Sequence, residues 1–353
     1  MGISTAQALH SFTSNDLLGI GMEADALRRS LHPEGVVSYL IDRRIPLSAA
    51  LCNDPEALYI LAREALDLGA TGLHLDLPPS GPIPSLAALE AILIGLRDRC
   101  PALVLHGLSA TAVVLLAQTA ALTQTTALTQ TAAQTSSITL PDNLAATLAI
   151  LRDAGLTSLG GEDAFLTPED NPADATAPAA STHLPAATWF EVHRTAHQLG
   201  LSSTAVMVFG LGESPAARIH HLESLRDLQQ ETGGFTSFTP LAFQPSSRTT
   251  PSTSPKQDPP TAVEYLRTLA IARLILSNIP HIQSSNTAQG LKVVQMALRF
   301  GANDTGSISL DGPPAHHGSP NRISEEDLRR VIRDAGFRPA QRDTLFHTLY
   351  LDN

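Results

Sequence analysis

Residues 36–77 read VVSYLIDRRIPLSAALCNDPEALYILAREALDLGATGLHLDL, and this stretch decides the fold. VVSYLIDRR (36–44) has the β-branched and apolar content of a strand. Asn53 and Asp54 are candidate N-caps, Pro55 suits a first helical turn, and the amphipathic run EALYILAREALDLG ends at Gly69. TGLHLDL (71–77) is again a strand. Strand, helix and strand in immediate succession are the repeating unit of a parallel sheet or barrel.

The alternation continues outward. Leu86–Arg99 reads as a helix, ALVLHGL (102–108) as a strand, Ala110 to about Ala133 as a long Ala/Thr/Leu/Gln helix, Asp142–Ala154 as a helix and LTSLGG (156–161) as a strand. WFEVHRTAHQLG (189–200), STAVMVFGLG (203–212), Pro215–Thr232 and FTSFTPLAF (235–243) follow, then EYLRTLAIARLIL (264–276), PHIQSS (280–285), Gln289–Phe300, TGSISL (305–310) and Glu325–Ala335. About eight such units predict an α/β fold, a closed (β/α)8 barrel of the TIM type, with its active site at the C-terminal ends of the strands. Residues 1–353 are read as one barrel domain with a helical extension at 1–30. The Pro/Ser/Thr-rich stretches 167–185 and 244–260 are expected to be mobile loops.

Composition narrows the function. The 353 residues are 43% hydrophobic, enough for a large buried core, and 23 Lys+Arg against 34 Asp+Glu leave a net charge of −11. That charge repels phosphate backbones and anionic lipid, so neither nucleic acid nor membrane is an expected partner. No basic start followed by an apolar run marks a secretory signal, and no 18-residue uncharged apolar stretch marks a membrane span, so a cytoplasmic location is expected. Two cysteines, Cys52 and Cys100, make neither a disulfide framework nor a cage of three or four thiolates.

Several segments together resemble one family. WFEVHRTAHQLGLSSTAVMVFGLGES (189–214), GGFTSFTPLAFQPSSRT (233–249), EYLRTLAIARLILSNIPHIQSS (264–285), FGAND (300–304) and RISEEDLRRVIRDAGFRPAQRDTLF (322–346) are similar to the menaquinone-pathway radical SAM enzymes of the futalosine type. SYLIDRRI (38–45), DLGATGLHLDL (67–77), LHGLS (105–109) and AGLTSLGGED (154–163) agree. The resemblance spans roughly residues 20–350 and implies a radical-SAM-like barrel. Where that family carries a Cys-x3-Cys-x2-Cys loop, this chain runs SYLIDRRIPLSAALCNDPEALYILA and keeps only Cys52. The glycine-rich turn after the second strand is replaced by LDLPPSG (75–81), in which Pro78 and Pro79 remove backbone donors. On this reading the chain is not a radical SAM enzyme and uses no cofactor: no iron–sulfur cluster, and no retained anchor for SAM.

Candidate site residues follow from strand position and from the resemblance. His74 and Asp76 lie two apart on one strand and share a face, and His106 stands on the neighbouring strand; the resemblance implies that they point inward. A carboxylate among imidazoles suits acid–base catalysis, and a hydrogen-bonded core cluster is the alternative. With Glu162 they have the ligand types of a zinc or manganese site, but nothing in the sequence fixes the geometry and no metal is expected. Tyr39, Glu162, Asp163, Glu213, Gln244, Gln283, Asn286, Asn303 and Asp304 are candidates for holding a substrate. His193 and His197 are read as a plain helix face, His316 and His317 as a solvated loop, and Cys52 as an inert thiol despite the helix after it.

The leading expectation is a redox-neutral cyclisation, isomerisation or elimination, including a pericyclic closure, on a small specialised metabolite. A non-catalytic binding partner of another enzyme and polar methyl transfer from SAM are the alternatives. A homodimer, with the Ala/Thr helix as an assembly surface, is left open.

Overall fold

The structure, a computed structural model, describes residues 2–77, 82–125, 142–161, 163–166, 184–243, 259–310 and 323–352. In chain order the elements are α1 (Thr5–Thr13), α2 (Leu17–Leu31), β1 (Val36–Pro46), α3 (Ala49–Cys52), α4 (Pro55–Asp67), β2 (Gly72–Asp76), α5 (Leu86–Arg99), β3 (Val104–Ser109), α6 (Ala110–Thr125), α7 (Leu144–Ala154) and β4 (Leu156–Gly160). They continue with α8 (Ala186–Gln198), β5 (Ser202–Phe209), α9 (Pro215–Thr232), β6 (Phe235–Ala242), α10 (Ala262–Ile275), β7 (His281–Ile282), α11 (Asn286–Gln289), α12 (Leu291–Ala297), β8 (Asp304–Ser309), α13 (Glu325–Asp334), β9 (Arg338–Arg342) and β10 (Thr348–Leu351).

Local chemistry sets these boundaries. Helix α4 begins where the Asp54 carboxylate accepts from the Ala57 N–H at 3.3 Å with Pro55 at its first turn, a cap that contributes about 1 kcal/mol. It ends before Gly69, whose φ of +85° a residue with a Cβ rarely adopts. The predicted 289–300 helix is α12, which starts at Leu291, and Gly290 separates it from α11. Strands β9 and β10 were not anticipated: RPAQR offers no β-branched run, and most of TLYL is exposed. The predicted 110–133 helix is seen as α6 to Thr125, and the remainder lies outside the described residues. So do most of the two Pro/Ser/Thr stretches.

Pairing follows the order β10-β9-β1-β2-β3-β4-β5-β6-β7, with β8 on β1. The bridge Gln283↔Asp304 joins the end of β7 to β8, so pairing returns to the first strand. The chain forms two compact units. One holds Ile41–Ala164 and Ser181–Thr204. Its parallel ladder places Arg44 opposite His74, and His74 opposite His106, while α5 packs on α4 and α7. Its core is built from Leu58, Leu73, Leu75, Leu89, Leu93 and Leu105, with β2 covered on both faces as parallel strands are.

The other unit holds Met1–Leu40, Phe165–Ala180 and Ala205–Asn353. Here β9 pairs parallel with the first half of β1, and β10 turns back antiparallel on β9. Helix α10 packs against α1, α2 and α9 over a core that includes Tyr265, Leu269 and Ile271. The predicted helical extension is α1 and α2.

Candidate active site

Three adjacent strands of the first unit build a polar cluster inside an apolar sheet. Asp42 and Arg44 alternate on β1, His74 and Asp76 on β2, and His106 stands on β3, so the register sets all five side chains on one face. Asp42, His74 and His106 are buried, and Asp76 and Arg44 lie toward the C-terminal ends of their strands. The Arg44 guanidinium grips Asp76 through both Nε and Nη2, the Nη2 bond to Oδ1 at 3.2 Å. The same Nη2 approaches His74 Nε2 at 3.0 Å, and Asp76 Oδ1 approaches that ring nitrogen at 3.1 Å. His106 Nε2 lies 3.6 Å from Asp42 Oδ2, and the two imidazoles meet edge to face with centroids 5.0 Å apart.

His74 Nε2 thus stands between a group that only donates and a group that only accepts. Carrying a proton, it donates a hydrogen bond to Asp76; without one, its lone pair accepts from the Arg44 N–H. Burial pushes the Asp76 carboxyl up, but the His74 imidazole and the Arg44 guanidinium outweigh that and hold it below the usual carboxylate range. Asp76 is therefore the fixed charge beside His74. Gly107 makes room for this arrangement. A Cβ there would lie 2.6 Å from Leu75 O and 3.0 Å from His74 Cδ2.

The substrate-binding candidates scatter. Asp163 accepts from Thr111 N at 2.6 Å and from Trp189 Nε1 at 3.1 Å, which ties the start of α6 to α8. Tyr39 has the opposite parity to Asp42 and Arg44, and its hydroxyl donates to Glu325 of α13 at 2.6 Å, so it faces the helical layer. The Glu213 carboxylate accepts from Gly210 N, Leu211 N and Arg218 Nε, pinning the turn after β5. Asn303 accepts from Arg273 and Ile282 N, and Asp304 is buried against Arg342, Ser38 and Gly306 N. Both stand where β8 begins, the opposite end from that expected of a barrel site. Asn286 donates to Thr305 O and Ser307 O, and Gln283 lies over Gly306. Apart from Gln283, each of these side chains bonds backbone or another side chain of the fold. Glu162 and Gln244 lie outside the described residues.

His193 is fully buried against Trp189, with ring centroids 4.0 Å apart, and His197 bonds Ser203 at 2.7 Å; the pair serves packing rather than an exposed face. Burial holds His193 well below the usual imidazole range and His197 at about 4. The His316–His317 pair lies outside the described residues. Cys52 closes α3 half-buried, and burial pushes its thiol up, away from a reactive thiolate.

The comparisons with known proteins bear on this arrangement. The family model described as the CofH/MqnC C-terminal region matches residues 232–352. The cyclic dehypoxanthine futalosine synthase of Streptomyces coelicolor is 30% identical over 372 residues, covering 98% of this chain and 86% of that protein. The chain belongs to the menaquinone-pathway radical SAM family. Another relative, the 5-amino-6-(D-ribitylamino)uracil–L-tyrosine 4-hydroxyphenyl transferase of Methanothermobacter thermautotrophicus, is 32% identical over 305 residues, covering 84% of this chain and 75% of that one. Among solved structures, methylornithine synthase (PylB) superposes with a TM-score of 0.65 at 13% identity, covering 96% of this chain and 95% of that one. This likeness supports the (β/α) barrel fold of the radical SAM type.

Two expectations are thereby corrected. The chain was read as standing outside the radical SAM enzymes and as using no cofactor. Its relatives are radical SAM enzymes that use SAM and an iron–sulfur cluster, and that kinship overturns both readings. Cys52 and Cys100 are the chain's only thiols, and Cys100 is buried as the C-cap of α5. Two such thiols do not fit a cluster held by three thiolates of one chain. Among the described residues no helix is long and apolar enough to cross a membrane.

Asp42 and Arg44 were missed at the level of sequence. The signal was there: two charges of one parity in a strand destined for burial require partners on the next strand.

Proposed function

We propose that the chain closes a ring, isomerises or eliminates on a small polar metabolite, with proton transfer at His74, Asp76 and His106. One observation carries this reading: His74 Nε2 lies 3.1 Å from a carboxylate and 3.0 Å from a guanidinium, so the ring can gain or lose a proton and keep a partner in either state. That is the property required of a general acid–base group. Arg44 and Asp76 stay charged throughout and stabilise charge that develops on the substrate. His106, edge-on to His74 and backed by Asp42, is the second imidazole of the site. Relatives named for a cyclic dehypoxanthine futalosine support ring closure as the reaction type.

The test is a mass balance. Extract from a strain lacking the protein is incubated with the purified chain and followed by mass spectrometry. One compound should give way to a product of equal mass, or to two fragments of the same total mass. His74→Gln and Asp76→Asn should strongly lower that conversion. A product that differs from its precursor by two hydrogens, or conversion undiminished in both variants, refutes the reading.

A further inference from the structure

We infer that Asp42, His74 and His106 form a binding site for one divalent transition-metal ion, a use of the cluster that deepens the proposed function and rests on it. The three residues each bring a ligand atom to within 4.8 Å of the other two, and all three are buried. They come from three adjacent, hydrogen-bonded strands, so their separation is set by the ladder rather than by loops. The His106 Nε2 to Asp42 Oδ2 distance of 3.6 Å is close to the spacing of neighbouring ligands around one tetrahedral ion, which is about 3.4 Å for bonds of about 2.1 Å.

Two imidazoles and one carboxylate are borderline donors that suit zinc or ferrous iron rather than magnesium or calcium. Three protein ligands leave coordination positions for a substrate oxygen. Two further features fit. Asp76, at 3.1 Å from His74 Nε2, is the outer carboxylate that metal-ligating histidines have, and it fixes the ring's tautomer. Arg44 is held by Asp76, so its charge is already matched where the ion would sit. There the ion would polarise a carbonyl or hydroxyl oxygen of the substrate, and because it would take the imidazole lone pairs, His74 and His106 would serve in the loaded chain as its ligands in place of proton transfer.

The experiment uses the full chain, stripped with a chelator and titrated with cobalt(II) and zinc(II). Expected are one ion per chain, visible cobalt absorption of an N/O site, and a zinc-dependent rise in thermal midpoint of the wild type. Asp42→Asn and His106→Ala should weaken binding roughly 100-fold or more, and Asp76→Asn about 10–100-fold. The double change His316→Ala, His317→Ala should leave binding intact. Wild-type protein with no stoichiometric ion and no rise in midpoint overturns the site, whether or not the variants fold. Binding lost with His316 and His317 but kept in Asp42→Asn also overturns it. The two proposals separate cleanly. Conversion lost in His74→Gln without metal binding removes the metal site alone, whereas metal binding with conversion undiminished removes the proposed reaction alone.

Discussion

Gly107→Ala should destabilise the protein and disturb the site at once. Gly107 has φ of +120°, outside the range of L side chains, and a residue forced there costs about 1–3 kcal/mol. The added Cβ would also lie 2.6 Å from Leu75 O and 2.7 Å from Leu75 N. Both are backbone atoms of the paired strand, so the ladder itself must move, and such overpacking adds about 1–3 kcal/mol. The sum is about 2–6 kcal/mol. Gly69→Ala is the internal control. Its φ is +85°, but nothing lies within 4 Å of the added Cβ, so it carries the backbone cost alone. Urea denaturation of both variants beside the wild type should place Gly107→Ala well below Gly69→Ala. Because the new methyl also reaches 3.0 Å from His74 Cδ2, conversion by Gly107→Ala should fall further than by Gly69→Ala under conditions where both are folded. Equal stabilities for the two would refute the close approach of β2 and β3 on which the site's geometry depends.

Other consequences are open to measurement. His74→Ala, Asp76→Asn and His106→Ala should lower conversion by roughly 10²–10⁴ where proton transfer limits the rate, and by less where they only place the substrate. Asp304→Asn removes the buried carboxylate that Arg342 grips through Nε and Nη2 and should cost about 3–5 kcal/mol in denaturant titrations. Asp304 itself is held below the usual carboxylate range: burial raises it, and Arg342 and Ser38 more than reverse this. Its stabilisation is therefore present above its unfolded pKa of about 3.9 and is lost as pH falls through the lower folded value. His221 and His281 run in the same direction for the opposite reason. Burial lowers them to about 4 and about 3, so the unfolded chain binds their protons first below about pH 6.5. Thermal midpoints should fall on acidification from that point, and His281→Asn should flatten the slope; an unchanged slope counts against the buried neutral ring.

The strand–helix alternation was legible because local chemistry marks it. Asp54 with Pro55 opens α4 and Gly69 follows its end, and these signals survive folding unchanged. Parity also placed His74 and Asp76 on one face. What faces them was not legible, since it depends on the register of β1 against β2, and a slip of one residue would set Ile45 opposite His74 in place of Arg44. Asn303 and Asp304 were candidates for holding a substrate at a strand's C-terminal end, but the chain enters β8 there. The cysteine count described the thiols correctly, but kinship is carried by similarity along the whole chain.

The two halves of β1 acquire their neighbours at very different moments of synthesis. Asp42–Pro46 pairs with Gly72–Asp76, about 30 residues downstream, whereas Val36–Tyr39 pairs with Arg338–Gln341, about 300 residues later. On a ribosome adding ~5–20 residues per second, the first ladder can close within seconds of its partner's emergence, while the other half waits tens of seconds longer with its edge open. An open strand edge is the template for pairing with another nascent chain. The hazard in making this protein is thus concentrated at Val36–Tyr39, and slowing translation before β9 should raise aggregation more than the same pause placed after it.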